Sequence, residues 1–155
     1  MSESPTPGWE TDMAGVAKGP GRHLGFTEWR TMTQPEIDRF ADLTDDHNFI
    51  HVDPERAAAT PFGGTIAHGF LSLALLAPAT QRLHVTDSAT AVNYGVDRVR
   101  FPAPLAVGAQ WRAGAEITEV EPVKGGVQVK MVATLEVRDS ERPACVAECV
   151  FRYYA

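Results

Sequence analysis

A chain of 155 residues in which 44 % are apolar and 22 % charged has the balance of a globular protein. It is large enough to bury a core without staples, and it falls outside the disordered and fibrous classes. A formal charge of −6 with no Lys/Arg cluster argues against nucleic acid as a partner. No apolar run reaches the roughly 20 residues of a membrane span. The opening MSESPTPGWETDM has no basic segment followed by an apolar one, as a signal peptide would. These features predict a cytoplasmic protein without membrane contact.

Residues 1–22 are rich in Pro and Gly, show no periodicity and read as a loose N-terminal arm, leaving 23–155 as one domain. Residues 25–32 alternate well enough for a short strand. Thr33 and Glu36 have capping-box spacing, Pro35 suits a first turn, and the Ile37, Phe40, Ala41 stripe completes a helix over about 34–43. Residues 44–52 read as irregular. Asp53-Pro54-Glu55 then opens a short helix through Ala59, with N-cap, proline and first-turn acid in order. After the loop Thr60-Pro61-Phe62-Gly63-Gly64, the Leu/Ala-rich run from Ile66 to about Thr80 predicts a long helix, apolar nearly all round and therefore buried.

From residue 90 the character changes. Segments 90–101, 109–120, 126–138 and 143–154 are rich in Val, Thr, Tyr and Phe and are separated by Pro/Gly turns. Helices gathered early and strands late predict an α+β fold, a curved antiparallel sheet wrapped around the apolar helix. Cys145 and Cys149, four apart on one predicted strand, are too distant to bridge and read as reduced core thiols.

Chemistry concentrates between Asp46 and Gly69. Asp46 and His51 are an acid and a base on a turn-prone segment: histidine titrates near neutrality and can take a proton from water, and a carboxyl group can return one to carbon. Five residues is the wrong spacing for one helical face, so the chain must turn to bring them together. The same residues also suit an ordinary turn with a solvated histidine, and both readings stand. Reading His47, His51 and Asp53 as metal ligands requires a helix through 47–51 and leaves no coherent fourth ligand. Gly69 lies inside a predicted helix, where glycine costs roughly 1 kcal/mol against alanine. With Thr65 as the cap, its backbone N–H would face a ligand oxygen at the first turn; close packing on a strand explains the glycine equally well. His68 and His84 have no evident partner and read as structural or surface groups, and Tyr94 as core or edge packing.

Taken together, Phe40-Ala41-Asp42-Leu43-Thr44-Asp45-Asp46-His47-Asn48-Phe49-Ile50-His51 with Ala57, then Phe62–Leu71 and Arg100–Leu105, resemble the MaoC-like (R)-specific enoyl-CoA hydratase family, hydratase 2, and its NodN-like branch. The resemblance covers about residues 24–154. Two positions depart from its signature: Asp45 stands where glycine is usual and Phe49 where proline is usual. The resemblance implies a hot-dog fold and reversible hydration of trans-2-enoyl thioesters. It implies that Asp46 and His51 activate one water, that the Gly69 N–H holds the thioester carbonyl, and that Asn48 fixes the loop or touches substrate, with Tyr94 lining the acyl pocket. No metal or redox cofactor is implied; coenzyme A, or an acyl carrier protein, belongs to the substrate. A homodimer with the acyl tunnel between subunits is implied as well. A thioesterase on the same fold is the competing reading, but no Asp or Glu lies between Ile66 and Thr80 to serve it. A non-catalytic acyl-binding partner subunit is the other alternative, against which Asp46 and His51 both stand.

Overall fold

The computed structural model describes residues 8–155. Four long strands make the scaffold: β5 (Thr90–Arg100), β6 (Gln110–Val123), β7 (Gly126–Val137) and β8 (Cys145–Tyr154). With the short strands β2 (His23–Phe26) and β3 (Arg30–Thr31) they form a six-stranded antiparallel sheet in the order β2-β6-β7-β8-β5, with β3 also on β6. The late strands thus appear where periodicity places them, but β5 does not pair with β6. It crosses to the far edge beside β8. The short strand expected over 25–32 is instead the two short strands β2 and β3, each pairing with β6.

Alternation decides the buried face. On β7, Val129, Met131, Ala133 and Leu135 are fully buried, and Trp111, Ala113, Ala115 and Ile117 line the same core from β6. Ala115, Ala133 and Ala147 are cross-strand neighbours on three adjacent strands. A row of methyl groups there keeps the sheet surface low beneath the helical layer, so Leu71, Leu76 and Ala79 join the same core. Cys145 and Cys149 are free, buried thiols on β8, and burial pushes both up to about 11.

The helices precede the long strands: α1 (Met13–Val16), α2 (Gln34–Thr44), α3 (Phe49–Val52), α4 (Pro54–Ala58), α5 (Gly69–Ala74) and α6 (Ala77–Thr80). The long buried helix expected over 66–80 is instead two short pieces. Pro78 has no N–H to give the Ala74 carbonyl, so the first piece ends at Ala74. Thr65 does not cap it. Ile66 forms an isolated bridge with Ala106, and His68 is the N-cap. The pair is also one-sided rather than buried all round: Leu71, Ser72, Leu76 and Ala79 face inward, while Phe70 is 73 % exposed.

The N-terminal arm is not loose throughout its described part. Its first seven residues lie outside the described part, but β1 (Trp9–Thr11) pairs in parallel with β4 (Leu83–Val85), and Val16 of α1 is fully buried. Asp12 caps α1, with its Oδ1 accepting from the Gly15 N–H, and the pairing partner lies more than 70 residues away, beyond the reach of local periodicity. Among the described residues no helix is long and apolar enough to cross a membrane.

Candidate active site

The site begins where α2 stops. The capping box sets its start: the Glu36 carboxylate accepts from the Thr33 N–H at 3.0 Å. At its end Asp45 takes the left-handed conformation, φ 56° and ψ 28°, and the Asp46 N–H returns to the Ala41 carbonyl at 3.1 Å. That bond and the left-handed residue make a Schellman ending, for which glycine is the usual choice. The family's glycine at this position therefore has a physical reason, and aspartate is one of the few side chains that tolerates the same backbone. The ending turns Asp46 off the helix axis.

Asn48 makes the next turn. Its Oδ1 accepts from the Ile50 N–H at 3.3 Å and caps α3, while its own N–H donates to Asp46 Oδ1, also at 3.3 Å. The segment read as irregular over 44–52 thus contains one helical turn, and that turn carries His51 inward, to 7 % exposure. His51 Nδ1 lies 2.7 Å from the Ile66 carbonyl. A carbonyl can only accept, so Nδ1 carries the proton and Nε2 is left with its lone pair free. Burial, the largest influence, holds His51 below the ordinary histidine value; the Ile66 carbonyl and Asp46 pull it upward and neighbouring His68 pushes it further down.

Gln34, at the start of α2, braces this turn. Its amide donates to the His51 carbonyl at 2.8 Å and to Asp38 Oδ1 at 2.8 Å, and its Oε1 accepts from the Thr65 hydroxyl. Ile66 is held from the other side, its N–H donating to the Ile50 carbonyl at 3.0 Å. Sequence reasoning missed Gln34 and His68 alike, because both act across long sequence separations.

Asp46, His51 and His68 present ligand atoms within 4.8 Å of one another. One water hydrogen-bonded to a carboxylate oxygen and to an imidazole nitrogen, at about 2.8 Å from each, spans such a gap. A metal ion suits the group less well. The His51 and His68 rings are stacked at 3.8 Å and 25°, so their lone pairs run side by side rather than converging on one point. His68 Nε2 is also engaged with the Asp46 carbonyl at 3.0 Å.

The chain runs directly from His68 into Gly69, the first residue of α5. Among the described residues its N–H has no hydrogen-bond partner, as expected at a first turn. A side chain at Gly69 would meet the Phe101 ring at 3.0–3.3 Å, so close packing contributes to the requirement for glycine. With only six residues in α5, a single N–H rather than a helix dipole is the polar resource here. From Leu73, one turn along, a cavity of about 600 Å³ opens between α5, α6 and the β5–β8 pair, lined by Leu73, Leu76, Thr80, Asn93, Cys149 and Phe151. Tyr94 does not join the Asp46–His51 group. It is 59 % exposed on β5, with the Arg152 guanidinium 3.5 Å over its ring. His47 points away and is paired with Asp42 at 2.8 Å and Asp45 at 3.5 Å.

The family model of the MaoC like domain matches residues 16–139. The 3-hydroxyacyl-thioester dehydratase Z of Mycobacterium tuberculosis (strain ATCC 25618 / H37Rv) is 48 % identical over 145 residues, which cover 92 % of this chain and 96 % of that protein. Nodulation protein N of Rhizobium leguminosarum bv. viciae is 41 % identical over 145 residues, with 91 % and 90 % covered. Among solved structures, the (R)-hydratase from A. caviae involved in PHA biosynthesis superposes with a TM-score of 0.70 at 23 % identity, over 85 % of this chain and 94 % of its own. The fold is that of the hot-dog dehydratases.

Proposed function

The chain belongs to the MaoC-like family, and on that premise we propose that it is a hydro-lyase adding water reversibly to trans-2-enoyl thioesters to give (R)-3-hydroxyacyl thioesters. The observation that carries this reading is the approach of the Asp46 carboxyl group and the His51 ring to within 4.8 Å, a gap one water can span, with an N–H at Gly69 that has no hydrogen-bond partner among the described residues.

The chemistry follows from those atoms. The thioester carbonyl takes a hydrogen bond from the Gly69 N–H, which draws charge out of the C2–C3 double bond; one such donor is worth about 10²–10³ in rate. His51 Nε2 removes a proton from the shared water as its oxygen bonds to C3, and Asp46 delivers a proton to C2. Both groups lie on one side of the substrate, so addition is syn. The proton that Asp46 delivers is the one His51 took from the water, passed between the two groups, so the site ends as it began, with His51 neutral and Asp46 ionised. The reverse sequence dehydrates. The thioester itself acidifies C2, so the step calls on no metal or redox cofactor. Asn48 holds the turn that sets the distance between the two groups. The cavity beyond Leu73 is the natural place for the acyl chain, and the coenzyme A or acyl-carrier arm would remain outside.

A homodimer belongs to the same proposal. Strand β5 is an eleven-residue sheet edge, with Val92, Tyr94 and Val96 between 40 % and 59 % exposed. An apolar edge of that length is an aggregation hazard unless covered, and a second copy would pair with it by two-fold symmetry. Tyr94 would then line the acyl pocket at the joint.

The test is crotonyl-CoA with the purified chain, following loss of enoyl-thioester absorbance and release of free thiol together. Absorbance loss without thiol, abolished in Asp46→Asn and in His51→Ala, is the expected result. Thiol release would replace the reading with a thioesterase, and absence of turnover at every chain length would leave an acyl-binding subunit.

A further inference from the structure

We propose that His68 is a positioning residue for hydration, fixing Asp46 through its backbone carbonyl and His51 through ring stacking; this rests on the hydratase reading above. His68 is 2 % exposed and its backbone is tied on both sides: the preceding Ala67 N–H donates to the Leu105 carbonyl at 2.8 Å, and the His68 carbonyl accepts from the Ser72 N–H at 3.0 Å. Its ring lies between His51, stacked at 3.8 Å, and Phe40, tilted at 56° with 5.0 Å between centroids.

The hydrogen bonding says why the ring is an imidazole. The Asp46 carbonyl must accept, so His68 Nε2 carries the proton, and Nδ1 is left buried without any partner among the described residues. A buried nitrogen without a partner is destabilising. Phenylalanine would fill the same space without that penalty, so packing alone does not select histidine. What the imidazole supplies is the bond to Asp46.

That bond closes a frame. The Asp46 N–H is tied to Ala41 at the end of α2, and its carbonyl is tied to His68 at the start of α5. An otherwise exposed residue following a left-handed turn is thereby pinned on both sides. His51 is pinned at Nδ1 by Ile66 and on one ring face by His68. Both reacting groups thus refer to one side chain, which keeps their separation within the span of one water. Asp46 and His68 are the titratable groups that face His51, and they act on its titration in opposite directions, Asp46 upward and His68 downward.

Two variants of the full chain separate the roles. His68→Phe keeps an aromatic ring against His51 without a donor, and His68→Gln keeps an amide donor toward the Asp46 carbonyl. With crotonyl-CoA, His68→Phe is expected to lose about 10- to 100-fold in kcat with KM within about 2-fold, as misplacement of reacting groups does. His68→Gln is expected to recover part of that loss. In parallel, the His51 imidazole followed by NMR is expected to titrate higher in His68→Phe than in the wild type. Unchanged kcat and an unchanged His51 titration in the folded His68→Phe protein would overturn the proposal and leave His68 a packing residue. If the wild type does not hydrate enoyl thioesters, the hydratase reading fails by itself. The His51 titration, together with the Asp46 amide shift in the two variants, still decides whether His68 holds the pair.

Discussion

The turn between α2 and α4 has an outer half and an inner half, with one histidine in each. His47 stands at the outer half, open to solvent, where the hydrogen bond it donates to the Asp42 carboxylate raises it above the ordinary histidine value, with Asp45 and Asp46 adding to the effect. His51 stands four residues on, at the inner half, where burial lowers it. Residue type is identical and the sequence distance is one helical turn. Environment alone makes one a solvated ion-pair partner and the other a base with a free nitrogen. A protonated His47 gains its acid neighbours' attraction and loses little. Protonating His51 puts charge in an apolar enclosure whose one committed acceptor, the Ile66 carbonyl, already holds Nδ1.

Substitution at the two histidines gives the largest contrast. In crotonyl-CoA hydration, His51→Ala is expected to reduce kcat/KM by about 10³-fold or more, within the range of a lost general base. His47→Ala is expected to stay within about 2-fold, as for an exposed ion pair. Steady-state kinetics on both variants, with circular dichroism to confirm folding, checks the pair; equal losses would erase the distinction.

Gln34 is the brace of the inner half, and breaking it comes next. Gln34→Ala leaves the His51 carbonyl and the Thr65 hydroxyl without their partner, so stability is expected to fall by about 1–3 kcal/mol in urea unfolding. Turnover should fall about 10-fold as His51 loses its fixed position. The equivalent outer truncation, Asp42→Ala, should change neither.

The pH profile sharpens the contrast further. The proposed mechanism needs His51 unprotonated, so activity is expected above its folded value and is expected to be lost as pH falls through it. Because burial sets that value below the ordinary one, the acid limb of kcat/KM is expected below about pH 6.5, the usual histidine value. The sign for stability is the same: the unfolded chain takes up this proton first on acidification, so the contribution of His51 is present above its unfolded value and lost as pH falls toward the folded one. His47 has the opposite sign, since its raised value lets the folded chain hold the proton longer. NMR titration of the two imidazoles should show them moving apart, His47 high and His51 low.

The smallest effect is expected at Asp45. With φ at 56° it occupies a backbone region where glycine is at no disadvantage. Asp45→Gly is expected to stabilise the chain by about 0.5 kcal/mol, part of the usual left-handed penalty, with turnover unchanged. Thermal melting checks the first and the crotonyl-CoA assay the second.

Residue pattern alone determined a good deal of this protein. The four late strands follow their alternation, α2 and α4 follow their capping signals, and the motif from Phe40 to His51 marks Asp46 and His51 by residue type alone. Those features depend on neighbours a few residues apart, which is the range over which periodicity and caps act. The break at Pro78 is equally local, but a continuous apolar run masks it. What tertiary structure decided was everything with a distant partner. Trp9–Thr11 became a strand only because Leu83–Val85 lies beside it, and β5 went to the sheet edge only because β8 was there to receive it. Gln34 reaches His51 over 17 residues and His68 reaches Asp46 over 22. Hydrogen bonds across such distances leave no spacing in the chain to read. Asp46 and His51 were therefore visible in the sequence as a candidate pair, while the frame that brings them within 4.8 Å of each other exists only in the fold.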